Sequence, residues 1–280
     1  MRRDDGYAMI AAIVGIVAFS LIAFEILAAT RGETAGVAAQ FENAKLTAAA
    51  DAGIAQAIHG VALQDRAQRW PIDGRSINSR FGDAALTIII QDERGKIPLN
   101  RLNEDQVRSM FAAAGVTGDR LDTLVDSFED WQDDDDEVRP HGAEAPDYAS
   151  RGIKPRNGDF HTIDEVNLIK GMDATLFAKL APALTIFFGD NGGFSQSTAQ
   201  PFALSVMLGT GTDSPDVIER ERELAGERPA LDITDDVNLV GRPLTIKVIA
   251  RDNAKGVAQR SAIIELTGNK SSPYWIRYLD

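Results

Sequence analysis

The sequence contains no cysteine, so the chain can form no disulfide and can carry out no thiol chemistry. Histidine is scarce, with three residues, and no GxSxG nucleophile motif is present. Basic residues are outnumbered, since 29 Lys and Arg stand against 42 Asp and Glu, which gives a net charge of −13. Because nucleic-acid binding needs clustered cations, this balance argues against nucleic acid and favours hard cations or basic surfaces as partners.

With 280 residues, 44% of them hydrophobic, the chain has room for one large or two modest domains with a buried core. Its organising feature is an apolar stretch over residues 7–29, of which the first eighteen residues carry no charge. Eighteen helical residues cover roughly 27 Å, close to the ~30 Å hydrocarbon core of a bilayer. The stretch is therefore a cleaved secretory signal, a membrane anchor, or both in turn.

A glycine, Gly6, ends the short charged leader that precedes this stretch. Such a leader before a long apolar helix resembles the type III signal of type IV pilins and pseudopilins, which prepilin peptidase cuts after the glycine. The resemblance implies cleavage between Gly6 and Tyr7. Two features depart from the family pattern: Asp4 and Asp5 make the leader acidic, and Ala11 stands at the fifth mature position, where most members carry glutamate. The K-type minor pseudopilin of type II secretion is known for lacking that glutamate.

Helical periodicity continues beyond the apolar stretch and predicts one helix over residues 7–64, about 87 Å long. Residues 70–92 favour a β-hairpin, with turns at Asp73-Gly74 and at residues 81–83. The hairpin strands and later strands are expected to share one sheet, so that the helical middle of the chain is an insertion. The further helices are predicted over residues 103–114, 119–131, 162–170, 174–180 and 213–227, and the further strands over residues 244–251, 259–267 and 274–279.

Residues 122–147 hold eleven acidic side chains and a single base, Arg139. Such a density of oxygen ligands suits Ca²⁺, which takes six to eight oxygens at ~2.4 Å. An EF-hand pattern counted from Asp133 places Glu144 at the twelfth position, but Val138 stands at the sixth, where glycine is needed. Composition alone leaves two alternatives open, a calcium site and a solvated acidic loop.

Several motifs, in a fixed order, resemble the K-type general secretion pathway protein. The resemblance covers about residues 6–190 and implies calcium ligands at Asp130, Asp133, Asp135 and Glu144. Asp134 and Asp136 are possible substitutes for these ligands, because the run contains one more aspartate than the family motif and two alignments with the motif are possible. The motifs are DW-x-D-x-D from residue 130, GAE from residue 142 with Tyr148, residues 92–100 upstream, and residues 154–157, 164–166 and 171–172 downstream.

With this resemblance, the expected fold is α+β: a pilin-like long N-terminal helix packed on an antiparallel sheet, with a large, mainly α-helical domain inserted in it. Residues 1–6 are the expected prepilin leader, and residues 7–29 the transmembrane half of the helix. The periplasmic half-helix and the first strands fall in residues 30–96. The inserted domain is expected over residues 97–230, and the strands that complete the sheet over residues 231–280.

The resemblance implies a non-enzymatic minor pseudopilin at the pseudopilus tip. It implies a single-pass protein of the bacterial inner membrane with most of the chain in the periplasm. The implied partners are the I- and J-type minor pseudopilins, prepilin peptidase and the inner-membrane secretion platform, with no nucleic acid. A structural calcium ion is the implied cofactor.

Two other functions are weighed against this one. The first is a hydrolase that uses the acidic cluster as a two-metal site. The second is a component of a type IV pilus or competence machine that binds DNA through a helix-hairpin-helix-like unit around residues 162–180. That unit would need clustered cations, and its candidates are Lys154, Arg156, Lys170 and Lys179.

Overall fold

A computed structural model describes residues 5–63, 65, 67–189, 192–208, 239–253 and 255–280. Five short 3₁₀ turns connect the elements of the central part of the chain. The helices are α1 (Asp5–Ala62), α2 (Glu104–Ala113), α3 (Asp119–Gln132), α4 (Ala145–Tyr148), α5 (Ala174–Leu180) and α6 (Pro201–Met207). The strands are β1 (Asp73–Phe81), β2 (Ala84–Asp92), β3 (Ile97–Pro98), β4 (Leu184–Thr185), β5 (Pro243–Arg251), β6 (Val257–Asn269) and β7 (Ser272–Leu279).

The long helix α1 ends at Ala62, two residues before its predicted end. Its C-terminal third packs on the sheet through small and aliphatic side chains, among them Leu46, Ala50 and Ala57. Gly53 allows close approach, since an added Cβ would lie 2.6 Å from Cγ1 of Val248 in β5. The small residues of the alanine-rich stretch therefore set how closely the helix approaches the strands.

The N-terminal part of α1 exposes large apolar side chains between Ile13 and Phe24. Within the described residues, no helix has the length and apolarity needed to cross a membrane. The predicted membrane stretch, residues 7–29, includes positions whose side chains lie outside the described part of the chain. The membrane segment therefore stays a prediction.

One antiparallel sheet holds five strands in the order β1-β2-β5-β6-β7. Alternate residues of the central strands, such as Ile88 in β2 and Ile246 in β5, are fully buried in the core that α1 covers. The expectation that early and late strands share one sheet is confirmed. The predicted turn at Asp73-Gly74 is wrong, because β1 begins there. Gly74 adopts φ 87° at an irregularity in the pairing of β1, a conformation that glycine also favours in turns.

Between β2 and β5 the chain forms a second unit, mainly helical, with its own hydrophobic core. The helix predicted over residues 103–114 is confirmed as α2, and a capping box between Asn103 and Gln106 starts it. The predicted helix at residues 162–170 is instead a 3₁₀ segment, Ile163–Leu168. The predicted helix over residues 213–227 lies outside the described residues, as does the predicted C-terminal boundary of the inserted domain.

Candidate functional site

Helix α3 carries one end of the acidic cluster into the core of the inserted unit. Leu124, Val125 and Phe128 recur at helical spacing and are fully buried, which fixes the rotation of the helix. This rotation turns Asp130 and Trp131 inward as well. The helix ends at Gln132, and the backbone N–H of the next residue, Asp133, donates to the carbonyl of Glu129 at 2.9 Å.

Asp130 organises the loop that follows α3. Its side chain is fully buried, and Oδ2 accepts a hydrogen bond from the backbone N–H of Ala143 at 2.8 Å. The backbone N–H of Arg139 also donates to this carboxylate, and the Nε of Arg139 lies 3.4 Å from Oδ1. At Gly142 a Cβ would overlap Oδ2 of Asp130. The glycine of the GAE motif is therefore required by the close approach of backbone and carboxylate.

Glu144 is buried, and neither of its carboxylate oxygens accepts a hydrogen bond of good geometry from the described residues, although the backbone N–H groups of Ala145 and Asp147 face this side chain. Burial, followed by the negative charges of Asp130, Asp133 and Asp136, raises its pKa to about 7. An unpaired buried carboxylate is costly, so this position favours either a proton or a cation. Among the predicted ligands, Glu144 is the buried carboxylate whose negative charge is least compensated by its surroundings.

The four adjacent aspartates divide into different roles. One oxygen of Asp133 is buried without a hydrogen-bond partner, and burial raises the pKa of this carboxyl, with the charge of Asp135 as the next cause. Asp135 is exposed, and its Oδ1 accepts from the backbone N–H of Glu137 at 2.8 Å. Asp134 is also exposed. Of the exposed aspartates, Asp136 is the one whose charge contributes to the raised pKa of Glu144.

Asn157 holds the acidic loop from outside. Its Nδ2 donates to the carbonyl oxygen of Asp135 at 2.6 Å and to Oδ1 of Asp136 at 3.1 Å. The residue adopts φ 49°, in the left-handed region where asparagine is tolerated better than most side chains. Asn157 therefore links the downstream KPRN motif to the acidic loop.

Aromatic side chains pack together next to the acidic loop. Trp131 packs edge-on against Tyr148, with ring centroids 5.6 Å apart, and stacks on Phe160 at 6.3 Å. The hydroxyl of Tyr148 accepts from the backbone N–H of Lys170 at 3.0 Å, while Nζ of Lys170 donates to the carbonyl of Gly142 at 2.9 Å. This packing explains why Trp131 and Tyr148 accompany the acidic residues in the motif.

Two further contacts join the remaining motifs. Oδ1 of Asn100 accepts from the backbone N–H of Phe160 at 2.8 Å and from Nε2 of Gln132 at 3.1 Å. The guanidinium of Arg156 donates to both oxygens of Glu165, at 2.6 and 3.0 Å. These contacts join the upstream motif, through Asn100, to the end of α3, and they join two of the downstream motifs to each other through Arg156 and Glu165.

Of the four predicted ligands, Asp130 and Asp133 lie near enough to Glu144 for their charges to raise its pKa, whereas Asp135 is exposed. In the part of the chain that is described, no group of three or more His, Cys, Asp or Glu side chains has an arrangement that could bind a metal ion. The unpaired oxygens of Glu144 and Asp133 and the raised pKa of Glu144 nevertheless fit a site for a hard cation. Calcium binding stays a prediction.

Sequence reasoning missed three residues that shape the loop: Arg139, Gly142 and Asn157. Arg139 was noted only as the single base of the cluster, whereas its backbone N–H and guanidinium both face Asp130. Gly142 and Asn157 were read only as parts of motifs. The sequence offers only two signals for these residues: Gly142 is a small residue next to acidic ones, and Asn157 is an asparagine downstream. Neither signal reveals a tertiary contact.

Residues 86–189 match the family model for protein K of the type II secretion system (T2SS). The resemblance predicted from the sequence is thereby confirmed. Type II secretion system protein K of Dickeya chrysanthemi is 27% identical over 115 residues, which are 40% of this chain and 32% of that protein. The chain thus matches about a third of the length of this K-family relative.

A solved K-family structure shares the fold. In the crystal structure of the GspK-GspI-GspJ complex from the enterotoxigenic Escherichia coli Type 2 Secretion System, one chain is similar to this one with a TM-score of 0.63. The match covers 86% of this chain and 97% of that chain at 15% sequence identity. The predicted α+β architecture is confirmed by this likeness.

Proposed function

We propose that this chain is a minor pseudopilin of the type II secretion system, placed at the pseudopilus tip, where it supports pseudopilus assembly and protein export across the outer membrane. One architectural observation carries the proposal: a long helix packs on an antiparallel sheet that is interrupted by a helical unit matching the K family. A bulky insertion resists repeated stacking in a narrow fibre. Ala11 also lacks the carboxylate that a neighbouring subunit would pair with. Both features favour the tip.

The proposed location is the inner membrane, with α1 as the anchor after cleavage between Gly6 and Tyr7. The uncharged run and the exposed apolar side chains of α1 support this anchoring. Co-expression with prepilin peptidase followed by N-terminal sequencing is expected to give a chain that starts at Tyr7. The matched variant Gly6→Leu is expected to stay unprocessed. An unprocessed wild-type chain, or a start near Thr30, would contradict the assignment.

The proposed partners are the I- and J-type minor pseudopilins, together with prepilin peptidase and the inner-membrane secretion platform. The K-family neighbour was solved in complex with GspI and GspJ, which supports these partners. The edge strand β7 exposes Trp275, Ile276 and Tyr278 by about half of their surfaces, and such an apolar edge is typical of a surface that a partner covers. Pull-down of the I- and J-type proteins with the membrane-extracted full chain tests this directly. Failure to capture either protein would count against the proposal.

We propose a structural role without catalysis. The rival DNA-binding function needs clustered free cations, and three of the four candidate cations are engaged within the chain. Arg156 pairs with Glu165, and Nζ of Lys179 donates to the carbonyl of Ala114 at 2.7 Å. Lys170 donates to the carbonyl of Gly142. These contacts, with the net charge of −13, favour protein partners over nucleic acid.

We further propose that a structural Ca²⁺ ion binds the acidic loop. Glu144 and Asp133 offer unpaired oxygens, Asp136 faces the same charge cluster, and Asp130 holds the loop backbone in place. Asp135 and Asp134 are near enough in sequence to complete the set. The bound ion would neutralise carboxylates that otherwise repel one another, so that binding would stabilise the folded chain.

Calorimetric titration of the full chain with Ca²⁺ tests the site. We expect binding heat for the wild type and weakened binding for Glu144→Gln, which preserves shape and removes the charge. Glu137→Gln is the matched control, because Glu137 lies exposed in the same loop. If the titration gives no binding heat and chelator leaves the Tm unchanged, the acidic cluster is a solvated loop and the calcium proposal is wrong.

A further inference from the structure

Charged side chains are buried where the polypeptide crosses between the sheet and the inserted unit. The chain leaves the sheet at Asp92, the last residue of β2, and returns to it at Arg242, directly before β5. Asp92, Glu93, Lys96 and Arg242 are all less than a tenth exposed. Buried charges of this kind are rare unless they are paired, and these four residues form two ion pairs.

The first ion pair joins the two crossings to each other. The guanidinium of Arg242 donates to both oxygens of Asp92, with Nε 2.9 Å from Oδ1. The hydroxyl of Thr198, in the inserted unit, donates to Oδ2 at 2.6 Å. The backbone N–H of Arg94 completes the set at 3.1 Å from Oδ1. Asp92 thus connects the outgoing chain, the returning chain and the inserted unit.

The second ion pair, between Glu93 and Lys96, also connects the sheet with the inserted unit. Nζ of Lys96 lies 2.5 Å from Oε1 of Glu93, and the hydroxyl of Thr245 in β5 donates to that same oxygen at 2.5 Å. The other oxygen, Oε2, accepts from the hydroxyl of Thr185 in β4. One carboxylate therefore holds a central strand of the sheet and a strand of the inserted unit.

Backbone packing confirms the close fit at this junction. A Cβ on Gly95 would lie 2.8 Å from the carbonyl carbon and oxygen of Thr198. The carbonyl of Arg94 accepts from the backbone N–H of Ser195 at 2.8 Å, and its guanidinium donates to the carbonyl of Gly241 at 3.2 Å. Directional hydrogen bonds therefore join the outgoing chain both to the inserted unit and to the returning chain. A purely apolar contact would allow the two units to slide against each other.

We infer that Asp92, Glu93, Lys96 and Arg242 form a clasp that holds the inserted unit in one fixed orientation on the sheet and α1. Burying ion pairs costs desolvation, and apolar replacements of similar volume are often equally stable. The distinct contribution of the clasp is therefore geometry: its bonds are satisfied in one arrangement of the two units. The inserted unit would then move with α1 as one body, independently of what the acidic loop binds.

The absence of native cysteine allows a direct test by pulsed electron paramagnetic resonance. Spin labels on Asn78→Cys in β1 and Ala113→Cys in α2, both at exposed positions, report the distance between the sheet and the inserted unit. We expect a single narrow distribution in the otherwise wild-type chain. The paired change Asp92→Leu with Arg242→Met is expected to broaden it or to add a second population, while the Tm stays close to that of the wild type.

A matched ion pair provides the control. Arg260 in β6 and Asp51 in α1 lie 2.8 Å apart and form a partly exposed pair between the helix and the sheet, away from the inserted unit, so Asp51→Leu with Arg260→Met is expected to leave the distribution narrow. The pair Thr185→Val with Thr198→Val removes the hydroxyl bonds from the inserted unit to Glu93 and Asp92, together with the local bonds of these hydroxyls to Phe187 and Ser195. This pair is expected to broaden the distribution with both ion pairs intact. A narrow, unshifted distribution in this threonine pair overturns the inference, even where the Asp92 and Arg242 change prevents folding. A lowered Tm with an unshifted narrow distribution would mean that the clasp only stabilises the fold.

Discussion

Titration of Glu144 gives a prediction about stability that depends on both pH and metal. Its pKa is about 7 in the folded chain, against an ordinary value of 4.5. A carboxyl with a higher pKa when folded binds its proton more tightly in that state. In the presence of chelator, the free energy of unfolding is therefore expected to fall as the pH rises from about 4.5 towards 7, and to level off above that.

The size of the fall follows from the shift in pKa. A rise from 4.5 to about 7 corresponds to about 3 kcal/mol. For a chain of this size, that loss lowers the Tm by roughly 6–12 °C. Burial also raises the pKa of Asp130 and of Asp133, so these groups act in the same direction.

Thermal unfolding in chelator at a series of pH values measures the effect. Glu144→Gln cannot ionise and is expected to show a flatter profile, whereas the exposed control Glu137→Gln should keep the wild-type profile. Added Ca²⁺ should restore the wild-type Tm at pH 7, since the ion replaces the proton. A wild-type Tm that does not change between pH 5 and pH 7 in chelator, or an equal fall in Glu144→Gln, would refute the reasoning.

Two further predictions concern packing and partner binding. Gly142→Ala is expected to destabilise the chain by roughly 1–3 kcal/mol, because its Cβ overlaps Oδ2 of Asp130, whereas Gly158→Ala, with open space around it, should have little effect on the Tm. Trp275→Ala with Tyr278→Ala is expected to reduce capture of the I- and J-type partners in pull-downs without lowering the Tm, because both side chains are about half exposed. Unchanged capture would exclude β7 as the contact surface.

Local sequence signals predicted the elements well where the pattern was strong. The α1 helix, the start of α2 at Asn103 and the three C-terminal strands follow from periodicity and capping chemistry, which act between near neighbours. The turn predicted at Asp73-Gly74 was wrong for a physical reason. A glycine with positive φ serves a strand irregularity as well as a turn, and pairing with β2 decided between them.

The candidate site was predictable as a set of residues and only partly as an arrangement. Acidic density and motif order pointed to Asp130, Asp133, Asp135 and Glu144. Their exposure could not be deduced from the sequence, because one turn of loop separates a buried Asp133 oxygen from an exposed Asp135. The roles of Gly142 and Asn157 depend on what the fold brings beside them.

By itself, the sequence determined the long apolar helix, the hairpin, the strands that follow and the acidic loop, since each depends on residues close together along the chain. Tertiary structure alone decided which charges are buried. Asp92 and Arg242 are 150 residues apart, and no local pattern marks them as a pair. Burial and pairing are properties of the folded arrangement, where desolvation makes an unpaired charge costly and a paired one specific to a single geometry.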